Sequence, residues 1–145
     1  MAPTISLYNH TTRLFANGTF AAGHTYKVKL LTAATYDATD VTLTETGGTE
    51  VTNANGYTTG GVALAGVAVT TVTTDDAKFD ANDATWSATG SGITASFAVL
   101  YNDTVADDPP VAFVNFDGSE SVVAGTDFIV QWNVNGIVTW TKIQA

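Results

Sequence analysis

Cysteine is absent from the 145-residue sequence, which excludes a disulfide framework and thiolate metal sites and leaves the redox compartment open. Charge is scarce: 13% of residues are charged, about half the share found in an average soluble domain. No apolar run approaches the roughly 18 residues that span a bilayer, so no membrane partner is expected. Met1-Ala2-Pro3-Thr4 has neither a basic start nor an apolar stretch, and no signal peptide is read there. Cations are scarcest, five Lys plus Arg against fourteen Asp plus Glu, for a net charge of −9. Phosphate backbones repel such a chain, because nucleic-acid affinity depends on clustered cations that displace counterions. Nucleic acid is therefore not an expected partner.

What is abundant is β-forming. Apolar residues make up 45% of the chain, and threonine alone occurs 26 times. Threonine and valine are stiff at χ1 and suit a pleated surface better than a helix. The length corresponds to one domain that buries roughly two-thirds of its unfolded surface and needs no covalent staple. A surface poor in Lys and Glu and rich in Thr, Asn and Ala fits a protein that works inside an assembly, and equally an acidic soluble β-protein.

Large apolar residues occupy alternate positions in Phe128-Ile129-Val130-Gln131-Trp132-Asn133-Val134, and Asn135-Gly136 leads into Ile137-Val138-Thr139-Trp140-Thr141. Asn-Gly between two such runs predicts a β-hairpin with a type I′ turn. Val134 then faces Ile137, Trp132 faces Thr139 and Val130 faces Thr141. One hairpin face carries Phe128, Val130, Trp132, Val134, Ile137 and Ile143 and is assigned to the core. The other carries Gln131, Asn133, Trp140 and Lys142 and is assigned to solvent or a partner.

Further strands are expected over 26–31, within 62–74, and over 84–89, 93–101 and 111–116. In 93–101, Ile93, Phe97, Val99 and Tyr101 share a side. Asp117-Gly118 is expected to turn into a strand over 119–123, and the acidic segment through Pro109-Pro110 to be an exposed loop. Residues 9–17 hold one or two helical turns, and 37–55 a short helix or a long loop. Runs this short, punctuated by Gly, Asn and Asp, predict an all-β, single-domain antiparallel β-sandwich with a C-terminal hairpin. Residues 1–25 are assigned to an N-terminal arm or short helical segment that docks on partners, and 26–145 to the sandwich.

Candidate chemistry is thin. His10 and His24 lie in different segments, and the sequence has neither a Gly-x-Ser-x-Gly elbow nor paired histidines at zinc spacing. Asp75, Asp76, Asp80, Asn82 and Asp83 cluster, as do Asp103, Asp107 and Asp108. Calcium near Asp80 and Asp83 is the weaker reading, since neither cluster matches an EF-hand loop. The stronger reading is turn residues that cap local backbone donors. Trp86, Trp132 and Trp140 are conceivable sugar platforms, but Trp132 falls on the core face. Trp140 is a candidate partner anchor or a cover for a neighbouring strand.

Three segments occur in order: Asn55-Gly56-Tyr57-Thr58-Thr59-Gly60-Gly61, Phe79-Asp80-Ala81-Asn82-Asp83-Ala84-Thr85-Trp86, and Ala98-Val99-Leu100-Tyr101-Asn102-Asp103. Phe116-Asp117 and the run from Phe128 to Thr139 follow. This ordered set resembles a widespread group of small β-structured virion proteins of tailed bacteriophages, from about Tyr26 to the C-terminus. Many of those open with an amphipathic helix; here Thr11 to Phe20 is short and contains Asn17-Gly18. The motifs are turns and strand starts, so they bear on fold and transfer no site residues.

The resemblance implies a non-enzymatic structural protein located in the virion. The expected role is a capsid decoration or cement subunit that bridges the major capsid protein or other virion subunits, as a homo-oligomer such as a trimer. A tail, collar or head-fibre component is the structural alternative, and a carbohydrate-binding host-attachment module the alternative of another class. The expected contact residues are Trp140, Gln131, Asn133 and Lys142 on the hairpin and His10 and Phe15 in the N-terminal segment. No cofactor is expected.

Overall fold

The computed structural model describes residues 3–73 and 75–141. Among them the chain forms eleven strands and one short helix. In order these are β1 (Thr4–Leu7), α1 (Thr11–Ala16), β2 (Tyr26–Ala33), β3 (Thr49–Glu50), β4 (Val62–Ala63) and β5 (Ala68–Thr71). There follow β6 (Ala77–Asp80), β7 (Ala84–Ser87), β8 (Ile93–Asn102), β9 (Pro110–Val122), β10 (Asp127–Val130) and β11 (Val138–Trp140). The fold is all-β and every strand pair is antiparallel. No helix of the described residues is long and apolar enough to cross a membrane.

A six-stranded sheet runs β1-β9-β8-β2-β3, with β4 also paired to β2. A two-stranded sheet, β10-β7, and a three-stranded sheet, β11-β6-β5, make the second layer. The main core lies between the layers, where Val28, Leu30, Leu100 and Val114 of the large sheet meet Phe79, Trp86, Phe128, Val130 and Val138. A smaller cluster, Tyr8, Leu31, Val99 and Phe113, covers the opposite face of the large sheet. Because β2, β8 and β9 are apolar on both faces, they sit centrally and the sheet carries two cores of unequal size.

The C-terminal hairpin does not form. β10 pairs with β7 (Phe128↔Trp86, Val130↔Ala84) and β11 pairs with β6 (Val138↔Phe79). β6 and β7 are consecutive, so the ribbon they make with β10 and β11 bends at a corner and passes from one small sheet to the other. Trp132 pins that corner: its backbone N–H donates to Asp83 Oδ1 at 2.9 Å and its indole N–H to Asn82 O at 3.1 Å. The turn also falls one residue early. Asn133 Oδ1 accepts Asn135 N–H and Asn133 O accepts Gly136 N–H. Gly136 has positive φ but Asn135 does not, whereas a type I′ turn needs both. Val134 is left 85% exposed at the tip. Phe128, Val130, Trp132 and Ile137 are buried as expected, while Ile143 and Lys142 lie outside the described residues. The Asn-Gly pair with two positive φ values is Asn55-Gly56, closed by Tyr57 N–H to Ala54 O at 2.9 Å.

Other expectations change in the same way. Asp117-Gly118 is a bulge inside the single strand β9, with Asp117 at φ 59°, and β9 pairs with β8 on both sides of it. The register breaks between Ala95 and Phe97. Ile93 and Ala95 therefore share the main core with Ala98 and Leu100, whereas Phe97 and Val99 face the smaller cluster. Residues 62–71 make two short strands, β4 and β5, separated by a bend at Ala65-Gly66. Residues 37–48 are loop, held by Asp37 and Glu45 carboxylates on nearby backbone N–H groups. The N-terminal segment is not a separate arm. β1 is an edge strand on β9, and Leu14 and Phe15 of α1 pack on the main core.

Candidate binding surface

Both histidines serve the fold. His10, expected at a contact surface, is buried, and its Nε2–H donates to Pro110 O at 2.6 Å. Thr11 beside it donates to Val111 O, so the start of α1 is bolted to β9. His24 Nδ1 accepts from Asn102 Nδ2 at 3.0 Å, and Asn102 Oδ1 in turn accepts the N–H groups of Thr104 and Val105. Among the described residues neither histidine bonds a hydroxyl or a carboxylate.

The acidic segments behave similarly. Asp80 pairs with Lys78 at 2.8 Å and accepts Ala81 N–H, while Asp83 holds Trp132. Asp103 pairs with Lys27 at 3.0 Å, and the Asp107 carbonyl accepts Leu43 N–H. No group of three or more His, Asp and Glu side chains stands together at metal-binding range among the described residues.

One largely buried polar network fills the gap between β3 and β4 along the outer edge of β2. Leu30 N–H donates to Tyr57 Oη, Tyr57 O–H donates to Glu50 Oε1 at 2.6 Å, and Gly60 N–H donates to the same oxygen at 2.6 Å. Tyr101 O–H closes the loop on Gly60 O. Burial, reinforced by the Glu50 carboxylate, drives the Tyr57 hydroxyl well above its ordinary range. Burial likewise lowers Lys29, which the nearby Glu50 partly offsets. The Asn55–Gly61 segment is thus an edge cover for the large sheet.

The expected contact residues fall into two places. Phe15 and Trp140 meet edge-on, 5.3 Å between ring centroids, and Phe15 lies 4.8 Å from Phe79 with the rings tilted by 47°. Both are half-buried, so Trp140 covers the core beside α1. Gln131 and Asn133 are exposed and line a cleft between the two layers.

That cleft has two lobes that share Pro3 and Gln131. The first, about 380 Å³, lies between the far half of β9 and β10, with Phe116, Val122, Phe128 and Val130 as its apolar lining and Glu120 and Asp127 as its carboxylates. The second, about 790 Å³, lies between β1 and the 131–137 corner, with Ile5, Leu7 and Trp132 among its lining. Ile129 and Val134, exposed by 53% and 85%, line it as well. The sequence reading missed β1, whose Thr4-Ile5-Ser6-Leu7 alternation was the available signal.

No protein family, curated protein or solved structure matches the chain.

Proposed function

We propose that this chain is a non-enzymatic structural protein of a tailed-phage virion, a decoration or cement subunit that binds capsid subunits and stabilises the shell. The observation that carries a binding role is the open cleft between the layers, where apolar side chains and strand edges stand exposed on one side of the molecule. Exposed apolar surface rimmed by polar groups is the usual mark of a contact site. The histidines and several carboxylates, by contrast, are committed to hydrogen bonds and ion pairs that hold turns and strands. The assignment to a virion rests on the resemblance of the turn and strand-start motifs.

A cement subunit acts by mass action: binding the assembled shell and not its free subunits shifts the equilibrium against disassembly. A tail, collar or fibre role uses the same surface in fewer copies. A glycan-binding role is less well supported, because such sites present aromatic platforms and every described Trp, Tyr and Phe is buried or half-buried.

Quantitative mass spectrometry of purified particles tests this reading. Copies in simple ratio to the major capsid protein support a cement role, a few copies move the protein to tail or fibres, and absence from particles refutes the virion assignment.

A further inference from the structure

The cleft is bounded by strand edges that have one neighbour instead of two. Among the described residues, β1 covers β9 only up to Asn115, and from Glu120 to Val122 β9 pairs with β8 alone. Among the same residues β10 pairs with β7 alone. Successive residues of a strand direct their backbone groups to opposite edges. Ala88 N–H bonds Thr126 O, and Trp132 N–H reaches Asp83 beside β7. Phe128 and Val130, of the same parity, therefore address β7, and Asp127, Ile129 and Gln131 turn their N–H and C=O groups towards the cleft. Unpaired edges of this kind are templates for a further strand.

We infer that the cleft accepts an extended strand from a different protein, in which apolar side chains alternate with lysine or arginine. Alternation follows from the walls: Ile129, exposed by 53%, and half-buried Val122 offer apolar contact to an inserted strand, above buried Phe116 and Phe128. Charge follows from the rim, where, among the described residues, Glu120 and Asp127 are the ionisable ones of the first lobe and no cation lines either lobe. Asp127 is bonded by Ser87, whereas Glu120 makes no hydrogen bond or ion pair with a described residue. A second copy of this chain cannot supply such a strand from its described residues. Its alternating Lys27-Val28-Lys29-Leu30 run is locked in the middle of the large sheet, and Lys78 is paired with Asp80. The net charge of −9 further opposes self-docking at an acidic mouth.

The inference rests on the proposed binding role, but not on which particle the protein serves. It is tested with an acetylated peptide of alternating lysine and valine. The controls are the glutamate–valine counterpart and the basic peptide N-methylated at alternate amides. Affinity is read by fluorescence anisotropy, and the docking position by amide hydrogen exchange. The basic peptide should bind at least about tenfold more tightly than the acidic one. It should slow exchange at Ile129 and Gln131 and lose its binding on N-methylation. Glu120→Lys, with circular dichroism unchanged, should weaken it, and added salt should do the same.

Equal binding of the acidic or the N-methylated peptide would overturn the inference, as would no binding of the basic one. Protection of Ile129 and Gln131 on concentrating the protein alone would also overturn it, by giving the cleft to a second copy. A failed peptide with capsid-level copy number leaves the cement reading intact; peptide binding with absence from particles refutes only the virion assignment.

Discussion

Gly18 and Gly61 share the same backbone φ, +82°, but differ in what surrounds them. A Cβ added at Gly18 meets nothing within 4 Å, whereas one at Gly61 lies 1.7 Å from Val28 O and 2.8 Å from Lys29 Cα, in the central strand β2. The pair therefore separates the cost of a left-handed backbone from the cost of close approach. Gly18→Ala should lose only the conformational part, about 1–2 kcal/mol. Gly61→Ala must in addition push the 58–61 turn off β2 and disturb the Lys27↔Ala63 and Val28↔Val62 pairs. Overpacking of that kind costs typically 1–3 kcal/mol more, for a total of about 2–5 kcal/mol. That is a large share of a stability that for a domain of this size lies in the range of roughly 5–15 kcal/mol. Urea unfolding followed by circular dichroism measures both, with a shared m-value as the check that only stability changed. Equal losses for the two variants would refute the claim that the Gly60-Gly61 approach to β2 is what closes the edge of the large sheet.

Two further predictions concern the tyrosines. Tyr57→Phe leaves Leu30 N–H without its acceptor and removes one donor from Glu50, and should cost about 1–3 kcal/mol in the same urea assay; no measurable loss would mean that water replaces the hydroxyl. Burial raises Tyr26 to about 12 and pushes Tyr8, Tyr57 and Tyr101 higher still. Above pH 10 the unfolded chain gives up these protons and the folded chain keeps them, so stability falls by about 5 kcal/mol per pH unit for the four together. Lys29, lowered by burial, works the other way only until its unfolded value of 10.5 is passed. Absorbance at 295 nm should therefore rise cooperatively with loss of circular dichroism before pH 12. Gradual ionisation with the native spectrum retained would contradict the buried placement.

Local alternation was enough to locate β2, β7 and β8 and to turn Phe128, Val130 and Trp132 inward, because a strand's two-residue period is a property of its own side chains. The helical turn over 11–16 was legible for the same reason, since its Leu14 and Phe15 must find a core within a few residues of Gly18. Parity alone assigned Gln131 and Asn133 to solvent or a partner; both are exposed and lie at the cleft. Parity could not say which strand lies alongside. Phe128-to-Val130 has the same pattern whether it pairs with β7 or folds back on β11, and the choice was made by Asp83 and Asn82 capturing Trp132 across 49 and 50 residues of sequence. Asn135-Gly136 and Asn55-Gly56 are identical dipeptides, yet only the second takes two positive φ values, because Asn133 captures the first turn one residue early. His10 was misplaced, and Trp140 left open between partner anchor and cover, for a related reason: a polar or aromatic residue in a short segment gains a buried partner only when a distant strand, here β9 or the Phe15–Phe79 cluster, is brought to it. Sequence alone thus determined the β class and most of the inward-facing side chains. Strand partners, the bent corner and the open cleft were decided by tertiary structure, because those contacts join residues that carry no local mark of one another.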